Sequence, residues 1–176
     1  GANAALTLSQ ILRMNTSGNL KIGNNSDRDL GGLSVQRLHI EGTDGGSSAI
    51  GLVNNQNSSG QAAIYFSKSR GTSIGSNTVL QNGDPMGSIV FCGSDGTDMT
   101  PIGAQITAEV NGTPGSNDMP GRLVFKTTTD GGQSPSETLR LGRSGSHAEA
   151  LLNTTTVLAT SVLSIHTNGS CGIGLK

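Results

Sequence analysis

The sequence predicts an all-β, turn-rich chain whose thin core favours oligomerisation. Three observations lead there. Short runs of Ile, Val, Leu, Phe and Thr are separated by Asn-Gly and Asp-Gly pairs. Helical periodicity is nearly absent. The supply of large apolar residues is thin for 176 residues: aromatics are 2% of the chain, with no Trp, one Tyr and three Phe. A chain with so few rings closes a compact monomeric core with difficulty, and oligomerisation is a usual remedy.

The turn signals fix the element boundaries. Asn82-Gly83, Asn111-Gly112 and Asn168-Gly169 are Asn-Gly pairs, and Asp44-Gly45, Asp95-Gly96 and Asp130-Gly131 are Asp-Gly pairs. Both dipeptides favour the positive φ angles of type I′ hairpin turns. Between them, strands are expected near residues 12–22, 63–66, 89–91, 106–110, 123–126 and 163–173. All five prolines (85, 101, 114, 120 and 135) fall between the apolar runs, where no ladder donor is lost. The best helix candidates are residues 4–14 and 147–158, and the second is diluted by three consecutive Thr.

Each Phe sits in a similar frame. Ile64, Ile89 and Leu123 lie two places before Phe66, Phe91 and Phe125, and a Gly follows each Phe five or six residues later. Residues two apart in a strand share a face. Leu123 and Phe125 are therefore expected to be buried together, with Val124 and Lys126 pointing the other way, and Phe66 and Phe91 in comparable positions. A stacking platform of exposed rings is the functional alternative. A second repeat links "LRMNTSGNLKIG" (12–23), "LRLGRSG" (139–145) and "LSIHTNGSCGIG" (163–174), with "LHIEGTDG" (38–45) a looser relative. Each reads as a strand followed by a turn with its Gly at a special position. Such a unit is too small to bury its own face and must stack on neighbours or on other chains. The chain divides into an N-terminal repeat (1–37), a β-rich module (38–145) and a C-terminal repeat (146–176).

With these segments in view, the chain resembles distal segments of bacteriophage tail fibres and tailspikes, whose precursors often end in an endosialidase-type intramolecular chaperone. The strand-turn-strand units look like those recurring in such fibres. The stretch from Gly87 to Leu141, with "NDMPGRLVF" and "SPSETLR", looks like the β-rich module placed between them. The resemblance implies an elongated, intertwined homotrimer on the virion tail, with a β-sandwich or β-prism-like module flanked by the short strand-turn-strand repeats. It would contact other tail or baseplate proteins and bind a host surface glycan or outer-membrane protein without catalysis. A tailspike polysaccharide depolymerase and a capsid-bound decoration fibre without a receptor role are the alternatives. The family would place a chaperone domain beyond Lys176. The chain opens on Gly, which is expected of a processed product or of one part of a longer protein.

Composition excludes other classes. Charged residues are 13%, against an average of about 25%. The net charge is -1 with no basic cluster, so nucleic acid is not an expected partner. No apolar run approaches the length of a membrane span, so membrane insertion is not expected.

No cofactor and no metal are expected. Gly71-Thr72-Ser73-Ile74-Gly75 matches the nucleophile-elbow pattern, but the residues after it do not favour the required helix. His39 and His166 read as exposed strand residues. On a threefold axis, one of the three His (39, 147, 166) could become three ligands. Asp44, Asp95 and Asp130 precede Gly and Asp84 precedes Pro, which leaves Asp98, Asp118, Glu109 and Glu137 without a paired spacing for glycan cleavage. Asp95 and Asp98 could help hold a hard cation, though no regular oxygen-ligand loop is present. Cys92 and Cys171 fit no metal spacing and read as buried free thiols, a disulfide being the alternative. The N-x-S/T sequons at Asn15, Asn24, Asn57, Asn111, Asn153 and Asn168 follow from the abundance of these residues. The residues that contact a receptor are not identified by any motif. Polar loops such as 111–120, which have no core duty, are the expected place.

Overall fold

The structure, a computed structural model, describes residues 12–23, 28–33, 36–144 and 147–152. The chain is all-β, with no helix among the described residues. Strands β1 (Leu12–Met14), β2 (Leu20–Ile22) and β3 (Leu38–Ile40) form one sheet. Strands β4 (Pro85–Cys92), β5 (Ile102–Val110), β6 (Gly121–Thr127), β7 (Ser136–Ser144) and β8 (His147–Leu152) form a second, a five-stranded antiparallel meander in chain order.

The first sheet begins as the strand-turn-strand unit read at 12–23. β1 and β2 pair antiparallel around residues 15–19, and the Asn15 side chain organises the turn by accepting N–H bonds from Ser17 (3.1 Å) and Asn19 (2.9 Å). Gly23 closes the unit with φ +85°, and a Cβ there would lie 1.8 Å from the Glu41 carbonyl oxygen, so only Gly fits. β3, from the looser repeat at 38–45, adds parallel to β2. At 139–145 the pattern behaves differently: β7 runs on through Gly142 to Ser144 where the repeat called for a turn. The helix candidate at 147–158 is a strand over 147–152, where β8 pairs antiparallel with β7. The other helix candidate, 4–14, is strand over the part that is described, Leu12–Met14. The expected strand at 163–173 and the pair Asn168-Gly169 lie outside the described residues.

The strands expected at 89–91, 106–110 and 123–126 are present and longer than read. The one expected at 63–66 is not a strand, because its backbone finds no partner among the described residues. The turns are not type I′. Gly83, Gly96, Gly112 and Gly131 take positive φ, but the Asn or Asp before each does not, and Asn117 is the one non-Gly residue at positive φ among those described. The connections from β4 to β7 run to eight residues or more, so the turns there sit inside longer loops.

A few contacts join the parts. The Arg70 guanidinium grips Asp84 with two bonds of 2.5 and 2.7 Å, and the Gln81 N–H donates to the same carboxylate. Asn82 accepts from the Gly112 N–H, and Val110 N–H donates to the Asp84 carbonyl, which zips the 82–84 turn onto the end of β5. Leu30 forms a bridge with Met99, and Gly31 rests against the Cys92 sulfur and Ile102.

Candidate interaction surface

Register assigns every strand residue of the meander to one of two faces, because directly opposed residues point the same way. Ile89, Ile106, Phe125 and Leu139 form one row across β4 to β7, and Ala108, Leu123 and Leu141 form the next. Phe91 and Ala104 extend the same face. Phe66 joins it from outside the sheet: a Cβ on Gly87 would lie 2.4 Å from the Phe66 Cβ, so the ring is seated where β4 lacks a side chain. All three Phe of the chain thus gather on one apolar face.

That face is open. Phe91 is 52% exposed and Leu123 is 43% exposed, with Ile89, Phe66 and Leu141 similar. Ile106, Phe125 and Leu139 are half-buried. The expected partition of β6 holds, with Leu123 and Phe125 opposite Val124 and Lys126, but the expected burial is reversed. Val124 is fully buried, whereas Phe125, Phe66 and Phe91 are not.

The reversal has a cause on the other face. Val124 sits between Thr107 and Arg140 in the register, under a lattice of long polar side chains. Arg122 donates twice to Glu109 (3.0 and 2.8 Å) and once to Asn111 (3.1 Å), and Lys126 reaches the other Glu109 oxygen at 3.4 Å. Arg140 donates twice to Glu137 (2.9 and 2.7 Å). Gln105 donates to Ser88, and Ser88 to Thr107. Aliphatic stems laid flat by these bonds shield Val124 and Thr107 from water. Alternation alone would put Glu137 with Leu139 and Leu141. A register shift between Phe125 and Lys126 instead sets Glu137 opposite Lys126, on the polar face, within reach of Arg140. The Arg140 guanidinium holds the Glu137 carboxyl below its usual range.

The three-stranded sheet repeats the arrangement. Its polar side is covered over β2 and β3, where Asn19, Lys21 and His39 are buried, while Arg13 on β1 is exposed. Its apolar side carries the rows Leu12–Ile22–Ile40 and Met14–Leu20–Leu38 by register, and Leu12, Leu38 and above all Met14 (72%) are exposed.

The residues singled out for chemistry are placed as follows. His39 is buried on β3, not exposed, with its Nε2 3.5 Å from Glu41 and its Nδ1 without a partner. Glu41 in turn is held by Arg28 at 2.5 Å. His147 lies on β8, and His166 lies outside the described residues. Residues 71–75 form bends and a turn with no strand before and no helix after, so the Ser73 motif does not build a nucleophile elbow. Asp95 is consumed by its own turn, accepting N–H bonds from Thr97 and Asp98 that lower its carboxyl below the usual range. Asp98 accepts from Thr100. Asp118 closes a tight turn with Gly115 inside the 111–120 loop. Glu109 and Glu137 are each tied to arginines. Among the described residues no three His, Cys, Asp or Glu side chains converge in a way that could hold a metal. Cys92 is a free thiol but exposed, not buried, and Cys171 lies outside the described residues. No described helix is long and apolar enough to cross a membrane.

What sequence reasoning missed is that the apolar faces are the open ones. The ion pairs that cover the other face join Glu109 to Arg122 and Lys126, 13 and 17 residues away, so only the short Glu137–Arg140 pair is a local signal. No family model matches this chain, and no curated protein shows significant similarity to it.

Proposed function

We propose that this chain is a structural fibre protein of a phage virion, assembled as a homotrimer and used for attachment to the host cell surface, without a catalytic step. The observation that carries the reading is the open apolar face holding Phe66, Phe91 and Phe125. An exposed apolar face this large marks an interaction site. The rings are interleaved with Ile, Leu and Ala, with Thr127 in the same row as Phe91 and Ala104 at one end of that face. That surface suits packing against another apolar surface better than stacking on a sugar, whose hydroxyls need partners. A homo-oligomer supplies such a surface from each copy, and closed symmetry leaves no face unmatched. The quoted resemblance to tail-fibre segments supplies the fibre and host-attachment part of the proposal. Contacts to other tail or baseplate proteins, and a glycan or outer-membrane receptor met by the 111–120 loop, belong to the same proposal.

Two measurements test it. Light scattering is expected to give three times the chain mass, and a stable monomer would end the oligomeric reading. Purified protein in excess is expected to compete with phage particles for adsorption to host cells while releasing no reducing sugar from host capsule or lipopolysaccharide. Saturating protein that left adsorption unchanged would remove the attachment role, and sugar release would favour a depolymerase.

A further inference from the structure

The segment between the two sheets has a peculiarity of its own. Residues 49–56 and 60–69 each run without a bend or turn, joined by bends at 57–59. Neither leg belongs to a strand, and among the described residues the backbone of 49–55 and 61–67 makes no hydrogen bond. The two legs face each other across a cleft lined by residues 51–55 and 61–63 without bonding across it. Both legs are apolar: Ile50, Leu52 and Val53 lie on one, and residues 62–66 form the unbroken run Ala-Ala-Ile-Tyr-Phe on the other. Tyr65 is 86% exposed, and Ile50, Leu52, Val53 and Ile64 are all exposed. Residues 45–67 contain no Asp, Glu, Lys or Arg.

Straight, uncharged, apolar and unpaired backbone is a template for strand pairing, and isolated proteins blunt such stretches with charges or prolines. Here neither device is present. Proline is absent from 45–67 as well. Backbone donors and acceptors find partners in water or in a ladder, and a ladder also buries the alternate apolar side chains. The second leg already has one anchor, since Phe66 is seated over Gly87 at the rim of the open apolar face.

We infer that residues 61–67 form an interchain strand, whose backbone bonds are completed by a second copy of this chain while Ile64 and Phe66 enter the apolar interior closed by the five-stranded sheet. A second copy is the fitting occupant because each copy carries both halves of the contact: an unpaired uncharged leg, and an apolar face open beside it. This rests on the oligomeric reading above and goes beyond it by naming which backbone is shared.

Hydrogen exchange on the assembled protein is the test. The amides of residues 62–66 are expected to exchange roughly hundredfold more slowly in the oligomer than in the chain diluted to monomer, whereas β5 and β6 stay protected in both. Ala63→Pro and Ile64→Pro each remove one donor, and N–H groups alternate in direction along a strand. One of the two is therefore expected to weaken assembly about tenfold or more, with the meander amides still protected. An oligomer in which residues 62–66 exchange freely, and which tolerates both prolines, would overturn the interchain strand and leave the oligomeric reading standing. A protein that is monomeric at every concentration would overturn both.

Discussion

Asp84 shows how much a single side chain holds here. It takes both fork bonds of Arg70 and an N–H from Gln81, and it lies close to Lys68, so its carboxyl is driven far below the ordinary range, the Arg70 bonds being the largest cause. A carboxyl with a depressed folded pKa stabilises above its unfolded pKa, and that stabilisation is lost as pH falls through the carboxylate range toward the folded value. Glu137 and Asp95 shift in the same direction. The melting midpoint should therefore be flat near neutrality and fall below about pH 4. Asp84→Asn should melt lower at pH 7 and lose part of that acid dependence, and an unchanged pH profile would show that the Arg70 pair contributes nothing to folding. Gly87 makes a second residue-scale case. A methyl there collides with the Cβ of Phe66, an atom close to the backbone that has little freedom to swing aside. Gly87→Ala should cost about 1–3 kcal/mol, as overpacking does. Phe66→Ala should relieve most of it, so a double-mutant cycle should be strongly non-additive. Additive losses would mean that Phe66 is not seated on β4.

At the scale of the element, β6 holds adjacent residues with opposite duties. Val124→Ala removes bulk from a fully buried site and should destabilise by about 1–2 kcal/mol at any protein concentration. Phe125→Ala acts on a half-buried ring, so most of its effect should appear through assembly. Its loss in midpoint should grow where dissociation and unfolding are coupled, and comparison of melts at two concentrations reads this directly. A Phe125→Ala loss of the full size expected for a buried ring, identical at all concentrations, would restore the reading of Phe125 as intrachain core. The strands of β4 to β6 were legible because alternation between Gly-containing loops is a local signal. Alternation also told which residues share a face. It could not tell which face is covered, since that depends on ion pairs such as Glu109 with Arg122, formed between residues that only the fold brings together. Glu137 was unreadable for a related reason: a one-residue register shift moved it to the side opposite the one its spacing implied. The 147–152 stretch, His-Ala-Glu-Ala-Leu-Leu, has residues with good helix propensity, and pairing with β7 overrides a preference of only a few tenths of a kcal/mol per residue. Residues 63–66 have strand composition but find no partner among the described residues, and a strand needs a partner as well as a composition.

For the whole molecule the question is what closes two sheets that both present their apolar sides outward. Seven large side chains (Ile89, Phe91, Ile106, Leu123, Phe125, Leu139 and Leu141) line the open face of the meander, each covered in part. Completing their burial is worth about 1 kcal/mol apiece, or roughly 5–10 kcal/mol per chain. Association itself opposes this by an estimated 4–15 kcal/mol. One face alone would therefore give a marginal complex, and a lasting one needs the second apolar surface, on β1 to β3, or the shared backbone of residues 61–67. Two substitutions one residue apart separate folding from assembly. Leu123→Glu places a charge on the open face, at a position already accessible in the single chain, so the strands should form and the far-ultraviolet circular dichroism should persist. Burying that charge against another copy without a partner is prohibitive, so light scattering should report a monomer. Val124→Glu puts the same carboxylate beneath the Arg140 and Thr107 side chains, where no water reaches and no space exists, and the meander itself should fail to form. If Leu123→Glu assembles to the parent mass and melts at the parent midpoint, the apolar face is not an interface, and the oligomer must be held elsewhere.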